Sequence, residues 1–110
     1  MLSVNINPSA GEVWIADLGY AAKIRPVLIL AMPDETAARA LAIVVPLTSQ
    51  LHGLRGEVPL GKIRWLAKPS AVNVQGLASL GKHVLQRRLG TLNADQMRLV
   101  KTALRELLDL

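Results

Sequence analysis

Short apolar runs mark the first half of the chain. Three of them are rich in Val, Ile, Leu or Trp: Glu12–Leu18, Pro26–Met32 and Leu41–Leu47. Each is too short for a stable helix and is flanked by glycine, proline or polar residues, so each is predicted to be a β-strand. The third is expected to stop at Pro46, because proline has no N–H to donate within a central strand.

The second and third runs are predicted to form a hairpin through a turn at Pro33–Thr36. With the turn centred near Thr36–Ala37, the numbers of paired residues sum to about 73 in an antiparallel register. Arg25 then lies opposite Thr48, and such partners share a face with Cβ atoms roughly 5 Å apart. The hairpin therefore places a guanidinium and a hydroxyl together at one open end of the sheet, whereas a slip of one residue would put them on opposite faces.

The middle of the chain is punctuated by glycine and proline, and its pattern is less regular. Glu57–Leu60 and Ala71–Gln75 are predicted to be strands. Lys82–Arg88 has a composition compatible with one or two helical turns.

Residues 93–110 carry a helical pattern. Asn93 is a predicted N-cap, and Gln96, three positions later, completes a capping box. Apolar residues then recur at helical spacing, at Met97, Val100, Leu104, Leu107 and Leu108. Short strands followed by one terminal helix predict an α+β domain, a small β-barrel capped by that helix.

Composition limits the class of protein. The 110 residues have room for one domain, residues 1–110. The absence of cysteine excludes disulfides, zinc–thiolate sites and a cysteine nucleophile, and fits a reducing cytoplasm. Residues 1–8 lack a signal-peptide pattern, and the longest apolar run, Pro26–Pro33, is too short to span a bilayer. We therefore expect a soluble, cytoplasmic protein.

The net charge of +5 is concentrated in one part of the sequence. Residues 51–92 carry seven basic side chains and one acidic side chain, whereas the segments on either side are close to neutral. Clustered Lys and Arg side chains suit a polyanion, because they neutralise phosphates and release counterions. The alternative is a solvated basic surface without a partner.

Arg25 and Thr48 are the best candidates for binding a phosphate. Arginine offers a rigid fork of donors that matches phosphate oxygens, and threonine adds a further donor. Taken singly, an arginine before a proline or a threonine at a strand end is more often structural. Glu12 and Asp17 are interpreted as salt-bridge partners of Arg25, with general-base catalysis as the alternative.

Other chemically useful side chains are few. His52 and His83 are the only histidines, too few for a multi-histidine metal centre, and no metal site is predicted. His52 is the better candidate for a functional imidazole, because it closely follows Thr48. Trp65, beside Arg64, is expected to be partly buried in the core, with stacking on a nucleobase as the alternative.

Several ordered segments resemble the MazF/PemK family of toxin–antitoxin ribonucleases and together cover nearly the whole chain. They are Gly11-Glu12-Val13-Trp14, Asp17-Leu18, Arg25-Pro26-Val27-Leu28-Ile29-Leu30, Val44-Val45-Pro46-Leu47-Thr48-Ser49, Ser70–Gln75 and Leu89-Gly90-Thr91-Leu92. The resemblance implies an SH3-like (CcdB/MazF-like) barrel with a C-terminal helix, a homodimer, a cognate antitoxin, and cleavage of single-stranded RNA without metal or cofactor. The expected products are a cyclic phosphate and a 5′-hydroxyl.

The resemblance also implies roles for individual residues. Arg25 matches the catalytic arginine, as general acid or as stabiliser of the charged intermediate, and Thr48 matches the residue that holds the scissile phosphate. The remaining candidates for contacting RNA are Lys23, Ser49, Gln50, His52, Arg55, Arg64 and Gln75.

Two departures from the family pattern leave an alternative open. The loop Gly19–Lys23 is shorter than usual, and the Gln-x-Arg element is represented by Gln75-Gly76-Leu77, without its arginine. Arg55, Arg64 or Lys62 are candidates to supply that charge. The alternative function is a non-catalytic module of the same fold that binds RNA or a protein.

Overall fold

The computed structural model describes residues 7–19, 23–34, 36 and 39–110. Within these ranges the strands are β1 (Glu12–Asp17), β2 (Ile24–Ala31), β3 (Leu41–Thr48), β4 (Glu57–Gly61), β5 (Ser70–Asn73), β6 (Ala78–Gly81) and β7 (Leu85–Thr91). Two 3-10 turns, Val74–Gly76 and Lys82–Val84, precede β6 and β7, and α1 (Ala94–Leu108) follows β7. The predicted turn centre at Ala37 and the middle of the Gly19–Lys23 loop lie outside the described residues.

The strands form one antiparallel sheet in the order β4-β5-β3-β2-β1-β7, with β6 also paired to β3. Together with α1 this confirms the α+β class. Strands β4 and β7 stand at the two ends of the order, so among the described residues the hydrogen-bonded ladder does not close on itself.

The β2–β3 hairpin has the predicted register. Val27 pairs with Pro46 and Leu28 with Val45, so the numbers of paired residues sum to 73. The register shifts only near the turn, between Ile29 and Ala31. Continuing the main register by two residues places Arg25 opposite Thr48.

Strand β3 does not stop at Pro46 but continues to Thr48. A Cβ atom built on Gly76 would come within 2.7 Å of the Cδ atom of Pro46. In proline, Cδ takes the place of the backbone N–H proton. The edge of Pro46 where the N–H would be therefore faces the 3-10 turn Val74–Gly76, which lies between the end of β5 and the start of β6. The proline is tolerated because no strand needs its donor at this point.

The prediction of helical turns at Lys82–Arg88 is wrong beyond Val84. A 3-10 turn ends there, and Leu85–Thr91 is a strand that pairs with β1. Its half-buried Leu85 and Leu89 pack against the two apolar clusters of the protein, while the polar residues between them are exposed. Pairing with β1 therefore outweighs the helical propensity of the segment.

The predicted strand Ala71–Gln75 is shorter than expected at its end. It stops at Asn73, whose side chain accepts a hydrogen bond from the backbone N–H of Gln75 and caps the following 3-10 turn. Strand β6, directly after that turn, was not predicted.

Both faces of the sheet are buried, by two separate clusters. One lies between the sheet and α1 and includes Val13, Leu28, Val45, Val72 and Val100. The other, on the opposite face, comprises Trp14, Ala16, Val27, Ile29, Ala42 and Val44. Burial on both faces explains why β2 and β3 are continuous apolar runs rather than alternating ones.

Helix α1 begins with the predicted capping box. The Oδ1 atom of Asn93 accepts from the backbone N–H of Gln96 at 2.8 Å, and the Oε1 atom of Gln96 accepts from that of Asn93 at 2.9 Å. The apolar stripe packs on the core through Leu104, but Leu107 and Leu108 are exposed. No helix in the described ranges is long and apolar enough to cross a membrane.

Candidate functional site

A cleft of about 560 Å³ opens where β2 begins and β3 ends. Five residues proposed from the sequence line it: Lys23, Arg25, Thr48, Ser49 and Gln50. We call it the Arg25–Thr48 cleft. The structure thus brings the two principal candidates into one open site.

The strand ends that border this cleft, those of β2 and β3, are each paired with a neighbouring strand, which fixes their backbone. Arg25 lies opposite Ala16 of β1, and Thr48 lies opposite Ala71 of β5. Arg25 also precedes a proline, which restricts its backbone to extended conformations. Its exposed guanidinium therefore projects from a fixed position at the strand end.

Thr48 is half-buried, and its hydroxyl oxygen accepts a hydrogen bond from the backbone N–H of Gln50 at 3.1 Å. That bond orients the side chain and uses the oxygen as an acceptor. The hydroxyl proton remains to be donated to a ligand oxygen.

The charge of the cleft is positive. Four cationic side chains line it, at Lys23, Arg25, Lys68 and Arg87, and none of its described lining residues is acidic. Such a site attracts phosphate groups through charge-assisted hydrogen bonds.

Lys23 has a left-handed backbone conformation, with φ of 60°. Two backbone hydrogen bonds hold it there: Lys23 N–H donates to Gly19 at 2.9 Å, and Leu18 N–H donates to Lys23 at 3.0 Å. This conformation is unfavourable for a residue with a side chain, so these two bonds fix where the lysine leaves the sheet.

Lys68 and Arg87 were not among the residues proposed from the sequence. Lys68 comes from the loop before β5, and Arg87 from β7, which was expected to be helical. Arg87 pairs with Ile15 of β1, which brings it to the same cleft as Arg25 although the two are far apart in sequence. The concentration of basic residues in 51–92 was the signal that could have pointed to both.

A family model describing PemK-like, MazF-like toxins of type II toxin–antitoxin systems matches residues 9–108. The chain belongs to this toxin family. The match covers every described strand and all of α1.

Similar proteins agree with that assignment. One relative, described as a probable endoribonuclease MazF5 from Mycobacterium tuberculosis, is 34% identical over 103 residues, which are 93% of this chain and 94% of the relative. An endoribonuclease solved in complex with its cognate antitoxin, from a mycobacterial species, superposes with a TM-score of 0.79 at 30% identity, covering 94% of this chain and 97% of that one. The Mycobacterium tuberculosis toxin MazF-mt6 gives a TM-score of 0.77 at 31% identity, covering 90% and 97%.

The other RNA-contact candidates of this MazF/PemK-family chain lie outside the Arg25–Thr48 cleft. Arg55 and Gln75 line a second cavity, of about 300 Å³, beside α1, where the side-chain amide of Gln75 donates to the backbone carbonyl of Arg55 at 3.5 Å. Of the three candidates for the missing arginine of Gln-x-Arg, Arg55 is thus the one whose backbone contacts Gln75 and which lines the same cavity. Arg64 and His52 are exposed, and the backbone N–H of His52 donates to Glu57 at 3.1 Å.

The predicted salt bridge between Glu12 and Arg25 is wrong. Glu12 lies four residues along β1 from Ala16, the partner of Arg25, and is therefore about 13 Å away along the strand. Its carboxylate instead pairs with Arg88 at 3.1 Å and accepts from the Trp14 indole at 3.1 Å and from the backbone N–H of Ser9 at 2.7 Å. Burial alone would raise the pKa of Glu12, but these hydrogen bonds and the charge of Arg88 outweigh it and lower the pKa below its usual value.

Asp17 accepts a hydrogen bond from the backbone N–H of Gly19 at 3.0 Å and so shapes the turn after β1. It lies opposite Ile24, next to Arg25 in sequence. Among the described residues, no three His, Cys, Asp or Glu side chains are grouped as metal ligands.

Proposed function

We propose that this toxin is an endoribonuclease that cuts single-stranded RNA in the Arg25–Thr48 cleft. The observation that carries the proposal is that Arg25 and Thr48, at neighbouring strand ends, line one cleft with a positive charge. Membership of the toxin family and the relatives named as endoribonucleases support it.

The proposed reaction needs no metal. The 2′-oxygen of the RNA attacks the adjacent phosphorus while its proton passes to solvent water. A P–O bond to the 2′-oxygen forms, and the bond to the 5′-oxygen of the next nucleotide breaks. The leaving oxygen takes up a proton from solvent water, so the products are a cyclic phosphate and a free 5′-hydroxyl.

Within this scheme Arg25 stabilises the charge that develops on the phosphate oxygens, and Thr48 donates its hydroxyl proton to one of them. Of the two roles considered for Arg25, we assign stabilisation rather than acid catalysis. A guanidinium remains protonated under all physiological conditions and is a poor proton donor. Lys23, Ser49 and Gln50 would contact neighbouring parts of the backbone.

One observation favours the alternative function, a non-catalytic binding module. The described lining of the cleft contains no carboxylate and no imidazole, the side chains that most often remove a proton in such reactions. A positive cleft without such a base would hold RNA without cutting it.

The proposed function also implies a partner protein, an oligomeric state and a closed form of the sheet. A cognate antitoxin with an acidic segment would occupy the positive cleft and block it, and two copies of the toxin would form a homodimer acting in the cytoplasm. We propose that residues 1–110 form a single domain and that its curved sheet is an SH3-like barrel whose halves meet through side chains rather than through a continuous ladder.

The direct test is incubation of the purified protein with RNA in EDTA. We expect cleavage with cyclic-phosphate ends, and we expect Arg25→Ala to lower kcat/KM by about 100-fold or more. Thr48→Ala should also lower it, and Thr48→Ser should restore much of the loss because it keeps the hydroxyl. Binding without cleavage by the wild type assigns the alternative function, and loss of cleavage in chelator contradicts the metal-free reaction.

Two controls make this test specific. Arg39→Ala removes an exposed guanidinium outside the cleft and should leave cleavage unchanged. Arg25→Ala should cost less than about 1 kcal/mol of folding stability, because the residue is exposed at a strand end. A large drop in its melting temperature would show that Arg25 is structural.

A further inference from the structure

Among the described residues, Trp65 is the aromatic one that lines the Arg25–Thr48 cleft. It lies in a turn that closes with a hydrogen bond from the backbone N–H of Leu66 to the carbonyl of Ile63, at 3.0 Å. Trp65 is half-buried, and its buried part packs against the cluster beneath α1. Trp65 is also a lining residue of the cleft that the cationic side chains line.

The backbone of Gly90 fixes how the indole is oriented. A Cβ atom built on Gly90 would overlap the Cδ2 and Cε2 atoms of Trp65. These two atoms form the bond shared by the two rings of the indole, so Gly90 approaches the face of the ring system rather than its edge. The indole therefore lies flat on the bare backbone of β7, with its other face turned away from that strand.

The position of Gly90 is itself fixed by strand pairing. It lies opposite Val13 of β1, and the register shifts directly after this pair, so that Trp14 pairs with Arg88. The extra residue in β7 is Leu89, which also lines the cleft. A bulge at this point turns neighbouring side chains out of the regular alternation and gives the strand a local bend.

Cationic side chains line the same cleft as Trp65. Lys68, close to Trp65 in sequence, and Arg87, from β7, line the same space as Arg25. A flat aromatic surface between cations that bind phosphates is the arrangement with which proteins hold an unpaired nucleobase.

We propose that Trp65, seated on Gly90, is the stacking surface for the nucleobase next to the scissile phosphate. This inference rests on the proposed function, since it assigns a further subsite to the same RNA. Arg25 and Thr48 hold the phosphate, and Trp65 holds the base of an adjoining nucleotide. Every nucleobase has an aromatic face, so the subsite selects for an unstacked base rather than for one base identity.

The experiment uses an RNA carrying the mapped cleavage site, made uncleavable by a 2′-deoxy nucleotide at the scissile position. Abasic nucleotides replace each position in turn, and affinity is measured by fluorescence polarisation of the labelled RNA. For the wild type we expect affinity to fall about tenfold at one abasic position beside the scissile phosphate. Trp65→Leu should bind the intact RNA about tenfold more weakly and lose no further affinity at that position.

Two variants separate the ring from its surroundings. Trp65→Phe keeps an aromatic face and should retain the sensitivity to the same abasic position. Gly90→Ala displaces the indole without removing any polar group and should behave like Trp65→Leu. Leu99→Ala, which removes an exposed apolar side chain from α1, is the control.

A readout on the wild type covers the case in which Trp65→Leu does not fold. Trp14, the other tryptophan of the chain, is only 4% exposed and is hydrogen-bonded to Glu12, so quencher-accessible fluorescence comes from Trp65. RNA binding should protect this fluorescence from acrylamide, and an unchanged quenching curve overturns the proposal.

The outcomes also distinguish the stacking role of Trp65 from the proposed function on which it rests. A wild-type protein that neither binds nor cuts RNA refutes the proposed function. If the wild type binds and cuts but Trp65→Leu shows the wild-type abasic profile, only the stacking role is refuted.

Discussion

A single carboxylate, that of Glu12, joins three parts of the molecule. It contacts Arg88 of β7, the indole of Trp14 and the backbone N–H of Ser9. The side chain of Glu12 is only 13% exposed, whereas that of Arg88 is 58% exposed, so the ion pair lies at the protein surface. They connect the residues before β1 with two neighbouring strands.

The lowered pKa of Glu12 gives this contact a pH dependence. Because the folded-state pKa lies below the ordinary value of 4.5, the stabilisation is complete above that value and is lost as the pH falls through the folded-state pKa. We expect Glu12→Gln to be less stable than the wild type at neutral pH by about 1–2 kcal/mol, and the difference to shrink as the pH falls below 4.5. Urea denaturation at a series of pH values measures it.

The same substitution in an Arg88→Leu background should cost less, because the charged partner is already absent. Equal stabilities of wild type and Glu12→Gln at neutral pH, or a difference independent of pH, would contradict this account.

Among the elements, the 3-10 turn Val74–Gly76 and strand β3 meet at a close contact. A Cβ atom on Gly76 would lie 2.5 Å from Cγ of Pro46, and neither the ring nor the backbone of the turn can easily move aside. Gly76→Ala should therefore destabilise the protein by about 1–3 kcal/mol, which thermal unfolding measures as a fall in Tm of several degrees.

Removing the pyrrolidine ring of Pro46 tests whether it causes the loss of stability in Gly76→Ala. In the double variant with Pro46→Ala, the added cost of Gly76→Ala should largely disappear. An undiminished cost would show that another contact is responsible.

The elements also show what the sequence could and could not specify. The β2–β3 register follows from the spacing of two apolar runs that are close in sequence, which is local information, and the capping box of Asn93 and Gln96 is local as well. Strand β7 was missed because Gln86, Arg87 and Arg88 have no strand preference, and only pairing with β1 makes them extended.

The candidate site likewise has residues that local sequence could place and residues that it could not. Arg25 and Thr48 were brought together by hairpin geometry, whereas the positions of Lys68 and Arg87 depend on strands that are distant in the chain. For the same reason, the partner of Glu12 could not be identified from its neighbours in sequence.

At the scale of the whole molecule, the positive charge of residues 51–92 contributes two cations, Lys68 and Arg87, to the cleft. Each phosphate neutralised in a single strand should contribute about −0.7 to the slope of log affinity against log salt concentration. We expect Lys68→Ala and Arg87→Ala each to weaken RNA binding and to make that slope shallower by about 0.7. Titrations of an uncleavable RNA at several salt concentrations measure this.

Lys101→Ala is the matched control, because Lys101 is exposed on α1 and lies outside the cleft. A slope that stays at the wild-type value in both cleft variants would mean that neither residue contacts a phosphate.

The contact between Gly76 and Pro46 also constrains how this chain can change over evolutionary time. With proline at position 46, a side chain at position 76 should cost about 1–3 kcal/mol of stability, so we expect the effects of the two positions on stability to be coupled. A lineage that first loses the ring at position 46 could then acquire a side chain at position 76 at a smaller cost, so this order of the two steps is favoured.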